Sequence, residues 1–167
     1  MAVHRSTCVP FGKVDHLGVV IREFRPADRA PFRHAGFLYR IDDGAPLMVH
    51  LAWHHCLRHE PPDDDYLWQT VALEEENRQV VAAWLGAGHL HPTDIPYGFD
   101  AFGLCFDEND EFVPPPLGKG LTCATFISAV LAFLGFELLD HATWEDRADD
   151  VLWQNEIVRA LNCHASP

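Results

Sequence analysis

The sequence predicts an α+β domain in which an antiparallel sheet packs against a central helix. Residues 14–24 are rich in β-branched side chains, two strand-like segments at 33–41 and 46–53 flank an Asp-Gly turn, and the segment 121–134 is apolar at helical spacing. With 167 residues, 48% of them hydrophobic and 22% charged, the chain has the composition of one compact unit with a core. We therefore expect a single domain over residues 1–167.

The predicted hairpin between the second and third strands has two possible registers. Asp42, Asp43 and Gly44 lie between the strands. A two-residue loop would place His50 opposite Phe37, whereas a three-residue loop with Gly44 in the left-handed conformation would place it opposite Gly36. A shift of one residue moves a side chain to the other face of a sheet, so only the second register puts His50 beside His34.

The remaining segments predict loops and helices. Residues 58–65 combine prolines with consecutive aspartates and are predicted to be a solvated loop. A helix begins after Leu73 in a run of glutamates and ends at Gly86. The proline-rich stretch 89–116 predicts a long loop with a short strand within 99–106. Thr143 and Asp146 resemble a capping box that begins a last amphipathic helix.

Charge and cysteine usage exclude several classes of function. The formal net charge of −13 opposes a large interface with nucleic acid or an anionic membrane, because such interfaces need clustered Lys and Arg. No stretch reaches the roughly 20 apolar residues of a membrane span, and the first residues lack a signal-peptide core. Five cysteines without a CxxC pair favour reduced thiols, and hence a cytoplasmic protein. We expect no cofactor and no metal.

Cys123 is the strongest candidate for chemistry in the sequence. A glycine-containing loop, Gly118-Lys119-Gly120, delivers it to the first turn of the apolar helix. The partial positive charge of a helix N-terminus favours the thiolate form, which lowers the pKa of the thiol and makes it nucleophilic. The alternative is that Cys123 is a packing residue, since free cysteine is among the most buried residue types.

A nucleophilic thiol needs a base, and the hairpin offers one. In the register that pairs His50 with Gly36, His34 and His50 become diagonal neighbours on one face, close enough for a hydrogen bond between their rings. His34 would then take the thiol proton and His50 would orient His34. Gly36 between them would leave room for a helix to approach.

Four segments follow one another in this chain: 32–39, Asp43-Gly44, Val49-His50 and 121–127. In this order they resemble the circularly permuted papain-like superfamily, and the resemblance covers roughly residues 33–134. That group includes lecithin:retinol acyltransferase-like proteins and permuted NlpC-type hydrolases. The resemblance implies a permuted papain-like fold with Cys123 as nucleophile, His34 as base and His50 as the orienting residue. It implies an acyl-enzyme mechanism on a small-molecule, peptide or acyl substrate. It does not choose between peptidase, amidase, esterase and acyltransferase.

Three alternatives stay open. His16 also begins a His-x-Gly strand and could replace His34 as the base. The chain could be an acidic protein-binding module of the same fold without turnover. A zinc site could use the dense cluster His50, His54, His55, Cys56 and His59, with His89 and His91 as further ligands. In the enzymatic interpretation, residues 96–103 and 113–116 are expected to border the cleft.

Overall fold

The computed structural model describes residues 2–27, 31–90, 94–99, 105–116, 118–136 and 150–164. Within them the chain has an α+β architecture with one six-stranded antiparallel sheet and three α-helices. The strands are β1 His4–Arg5, β2 Leu17–Phe24, β3 Phe32–Tyr39, β4 Leu47–Trp53, β5 Cys56–Glu60 and β6 Leu67–Thr70. The helices are α1 Glu75–Gly86, α2 Cys123–Phe133 and α3 Asp150–His164. The strand order in the sheet is β1-β6-β2-β3-β4-β5.

The central hairpin adopts the register that places His50 opposite Gly36. Phe37 pairs with Val49 in the β3–β4 ladder, and a Cβ built on Gly36 would lie 2.8 Å from the Cβ of His50. The connection differs from the predicted three-residue bulge. The backbone N–H of Gly44 donates to the Ile41 carbonyl, and Asp42 rather than Gly44 adopts positive φ, at 47°. Register follows from which face is buried, so it tolerates this change in the turn.

Besides the two-residue β1, two strands lie where the sequence predicts none. β5 includes residues 58–60 of the segment predicted to be a solvated loop, and that prediction is wrong for its first three residues. β6 pairs with β2 on one side and with β1 on the other. Both strands are short, five and four residues, and both are stabilised by pairing with longer neighbours rather than by their own composition.

The two faces of the sheet bury different partners. We call one the helix face, because Phe37, Val49 and Leu51 share a core with Phe126 and Val130 of α2. We call the other the histidine face. Successive side chains of a strand alternate between faces, so His34 and His50 lie on the histidine face. This face carries a second, smaller core that contains Val20, Leu38, Met48, Trp68, Phe11, Val14 and Tyr66.

The helices also match the predicted pattern where they are described. α1 begins with Glu75 and Glu76 in its first turn, and α2 is central and mostly buried, as predicted. In α3, Ile157 and Leu161 pack against the core while Val151 and Leu152 are exposed. Thr143, Asp146 and most of the predicted strand within 99–106 lie outside the described residues. None of the described helices has the length and apolarity needed to cross a bilayer.

Candidate active site

Cys123 is the first residue of α2, and its position is set by a capping box. The Thr122 side chain accepts a hydrogen bond from the Thr125 backbone N–H, and the Thr125 hydroxyl accepts one from the Thr122 backbone N–H. This arrangement satisfies two donors at the helix start. The preceding residue, Leu121, forms a parallel bridge with Tyr97. The loop that carries Tyr97 is therefore held directly beside the start of α2.

The sulfur of Cys123 is buried among hydrogen-bond donors. The Tyr97 hydroxyl donates to Sγ over 4.0 Å, and the backbone N–H groups of Ala35 and Ala124 also interact with the sulfur. Burial raises the pKa of the Cys123 thiol, and these donors lower it by less. The sequence predicts a lowered pKa from the helix N-terminus alone. The structure reverses that direction, because the loss of hydration destabilises the thiolate more than the nearby hydrogen-bond donors stabilise it.

On the histidine face, three side chains from three adjacent strands form a hydrogen-bonded chain that we call the histidine relay. His34 Nε2 on β3 lies 2.5 Å from His50 Nδ1 on β4, and His50 Nε2 lies 3.0 Å from Glu60 Oε1 on β5. The register explains the geometry, since β5 pairs Glu60 with Met48, two residues before His50. Both imidazoles are buried, whereas 41% of the Glu60 side chain is exposed.

The two histidines are held in the neutral form. The pKa of His34 is lowered to about 4, first by burial and then by the nearby His50, against the raising effect of the Glu60 carboxylate. Burial also lowers the pKa of His50, against the raising effect of its bond to Glu60. At neutral pH the imidazoles therefore have lone pairs to accept protons, and the thiol retains its proton.

Cys123 and the histidine relay both involve β3, which carries His34 and Ala35. Sγ interacts with the backbone N–H of Ala35, the residue that follows His34. The aromatic ring of Tyr66 lies 6.5 Å from the His34 ring, and Cys123 in turn perturbs the pKa of Tyr66. Among the described residues no hydrogen bond joins Sγ to the His34 ring. The structure thus brings His34 and His50 together on the histidine face. Cys123 begins α2 on the helix face, and its sulfur reaches the backbone of β3 at Ala35.

His16 lies at the other end of β3 from this site. Its carbonyl accepts a hydrogen bond from the Arg40 backbone N–H, and its ring lies 3.2 Å from Gln79 Nε2 on α1. Five residues of strand separate Arg40 from Ala35, which corresponds to about 17 Å. His16 is therefore too far from Cys123 to act as its base.

The cluster between His50 and His59 is dispersed in the structure. His50 uses both ring nitrogens in the relay, His54 Nδ1 accepts a hydrogen bond from the Tyr97 backbone N–H, and His55 pairs with Asp94. Within the described part of the chain, which leaves out His91, no three His, Cys, Asp or Glu side chains are arranged to hold a metal ion. The zinc interpretation has no geometric support there.

An apolar groove of about 410 Å³ runs along α2. Ala35 and Ala124, whose backbone groups contact Sγ, are both in its wall. Ile127 and Leu131 continue the wall along the helix, and Val19, Ile21 and Leu67 complete it on the helix face of the sheet. The volume is within the range of small-molecule sites, about 300–1,000 Å³.

Of the two loops expected to border the cleft, the first contributes Tyr97 to the sulfur environment, and residues 100–103 of that loop lie outside the described residues. The described contacts of the second loop run to Cys105 and Lys119. Sequence reasoning missed both Tyr97 and Glu60. Arg58 and Glu60 flank His59 and give only a weak strand pattern, which the prolines and aspartates that follow obscured.

Comparisons with protein-family models, with curated proteins and with solved structures find no match to this chain.

Proposed function

We propose that this chain is a cysteine-nucleophile hydrolase or acyltransferase of the permuted papain-like fold, with Cys123 as nucleophile, His34 as general base and His50 as the orienting residue. The observation that carries the proposal is the 2.5 Å contact between His34 Nε2 and His50 Nδ1, one residue along β3 from the backbone N–H that contacts Sγ. A nucleophile beside a base that is itself held by a third polar group is the arrangement of acyl-transfer enzymes.

The protonation states favour general-base catalysis over a preformed ion pair. The thiol has a raised pKa and His34 has a pKa of about 4, so both are neutral at pH 7. In the first step His34 takes the thiol proton as sulfur attacks the carbonyl carbon of the substrate, and the carbonyl π electrons move to oxygen. In a free enzyme catalytic hydrogen bonds are often long and shorten only when substrate binds, so we expect the bond between Sγ and His34 to form in the substrate complex.

The hydrogen-bond donors around the sulfur would stabilise the tetrahedral intermediate. The Cys123 backbone N–H and the Tyr97 hydroxyl both interact with Sγ, and in this mechanism they would donate hydrogen bonds to the oxyanion on the attacked carbon. Collapse of the intermediate breaks the bond to the leaving group, which receives the proton from His34 and leaves an acyl-thioester on Cys123. Water or another acceptor then completes the reaction by the same route in reverse. The apolar groove beside Ala124 favours substrates with an apolar group next to the carbonyl.

The test is covalent acylation with p-nitrophenyl esters of acetic, butyric and octanoic acid. We expect a burst of one p-nitrophenolate per chain and an acyl adduct on Cys123 by peptide mass mapping, both lost in Cys123→Ser. The matched control is Cys105→Ser, which changes another buried cysteine whose pKa is raised by burial. His34→Gln should lower the acylation rate about 10²- to 10⁴-fold, the usual contribution of a general base.

A protein-binding module without turnover is the second candidate, and the burial of Cys123, only 5% exposed, favours it. In that case no ester acylates Cys123, and any adducts form on the exposed Cys8 and Cys163 at rates that His34→Gln leaves unchanged. None of the five cysteines, all of which lie in the described residues, forms a disulfide, and for either candidate function we propose a reducing compartment such as the cytoplasm.

A further inference from the structure

Glu60 determines the direction of the hydrogen bonds in the histidine relay. An ionised carboxylate accepts hydrogen bonds and cannot donate them, so His50 Nε2, 3.0 Å from Glu60 Oε1, must carry the proton. A neutral imidazole has a single N–H, which leaves His50 Nδ1 as an acceptor. His34 Nε2, 2.5 Å away, is then the donor, and the lone pair of His34 resides on Nδ1.

We propose that Glu60 is a positioning residue that makes Nδ1 the basic nitrogen of His34. With the opposite direction, His50 Nδ1 would donate to His34 Nε2, and His34 Nδ1 would carry a hydrogen and could not accept the thiol proton. The catalytic consequence rests on the proposed function. The tautomers themselves exist whether or not Cys123 reacts.

Among the described side chains that surround the relay, Glu60 is the one that accepts a hydrogen bond from His50 and so fixes the tautomers. Arg58 pairs with His50 across β4 and β5, Arg22 pairs with His34 across β2 and β3, and the Tyr66 ring lies 6.5 Å from that of His34. The arginines cannot accept a hydrogen bond. Among the described residues, Glu60 is the one hydrogen-bond partner of His50 Nε2. Its charge also raises the pKa of His34, which offsets part of the cost of placing a proton on a buried ring.

Nitrogen-15 NMR of histidine-labelled protein tests the tautomers directly, with the two rings assigned by loss of their signals in His34→Gln and His50→Gln. We expect both to be Nε2–H tautomers in the parent. In Glu60→Lys an ammonium that only donates should convert both to Nδ1–H, and in Glu60→Gln an amide that can do either should give a mixture. The control Glu108→Lys makes the same charge change in an exposed loop and should leave both rings as in the parent.

Kinetics with the acylating ester gives a second readout. Loss of a group that orients a catalytic ligand typically costs about 10- to 100-fold, so Glu60→Gln should lower the acylation rate constant by that factor with little change in KM. The rising limb of the pH–rate profile of Glu60→Gln should move to lower pH, because loss of the carboxylate lowers the pKa of His34 further. Glu60→Lys should be slower still.

Each outcome decides one proposal. If the parent acylates Cys123 but its tautomers are the same in Glu60→Lys as in the parent, the role of Glu60 is wrong and the proposed function stands. If no ester acylates Cys123 but the tautomers change as expected, the role of Glu60 stands and the proposed function fails. An Nδ1–H tautomer of either ring in the parent also overturns the inference.

Discussion

The helix face and the histidine face of the sheet are formed by alternate residues of the same strands, and they bury different kinds of side chain. The helix face is apolar and holds the core around Phe37 and Phe126. The histidine face mixes a small apolar core with two buried imidazoles that are satisfied by each other and by Glu60. The helix face provides most of the apolar burial, and the histidine face holds polar groups whose protonation depends on their burial.

The largest effect is expected from a cavity on the helix face. Phe126 is fully buried and packs edge to face against Phe37, with ring centroids 6.2 Å apart. Phe126→Ala should lower the free energy of unfolding by about 4 kcal/mol, the usual cost of removing a buried aromatic ring. Urea titration followed by circular dichroism measures this. Val158→Ala, on the exposed side of α3, should change it by less than about 0.5 kcal/mol. Equal effects would mean that the helix face is not the main source of stability.

Gly36→Ala tests how closely β3 and β4 pack against each other beside the two relay histidines. A Cβ at Gly36 would lie 2.8 Å from His50 Cβ and 3.0 Å from the Val49 carbonyl oxygen, so one of them must move. Gly36→Ala should cost about 2 kcal/mol of unfolding free energy and shift the nitrogen-15 resonances of both relay histidines. Gly12→Ala has open space around the new methyl group and is the control. A Gly36→Ala protein as stable as Gly12→Ala would show that β3 and β4 are more loosely held than the distances indicate.

Acid should destabilise the protein through the histidine face. The pKa of His34 is about 4 in the folded protein and 6.5 in the unfolded chain. The unfolded chain therefore binds more protons in this interval, and stability that is complete above pH 6.5 is lost as the pH falls toward 4. At pH 5 this amounts to about 2 kcal/mol.

The measurement compares urea unfolding at pH 7.5 and pH 5. His34→Gln should remove about 2 kcal/mol of the difference between the two pH values. His4→Gln, which takes a histidine from the edge strand β1, should retain the pH dependence of the parent. If His34→Gln and the parent lose stability equally in acid, the histidine face does not hold His34 in the neutral form.

The smallest effect is expected at the start of α2. Thr122→Ala removes the side-chain acceptor for the Thr125 backbone N–H and should cost about 1 kcal/mol. Thr122→Ser keeps that acceptor and should restore most of the loss, again measured by urea unfolding. A loss that serine does not recover would assign the role of Thr122 to packing of its methyl group rather than to the cap.

Several elements could be predicted because their signals are local. The strands β3 and β4 follow from alternation of buried residues over a few positions. Of the two registers that the sequence allowed for them, the structure adopts the one that brings His34 and His50 together. The start of α2 follows from Thr122 and the apolar run after it. β5 and β6 could not be predicted, because strands this short are stabilised by the neighbours they pair with and not by their own residues.

By itself the sequence determined the α+β class and the central cysteine helix, since periodicity and capping act within a few residues of the chain. The register that puts His34 and His50 on one face was one of two that the sequence allowed, and the structure decided it. Only the tertiary structure decided that Glu60 completes the relay, that Tyr97 reaches the sulfur and that His16 lies far from it. It also decided the protonation of Cys123. Helix position lowers the pKa of the thiol through adjacent backbone groups, whereas burial raises it through everything packed around it, and burial depends on the whole fold.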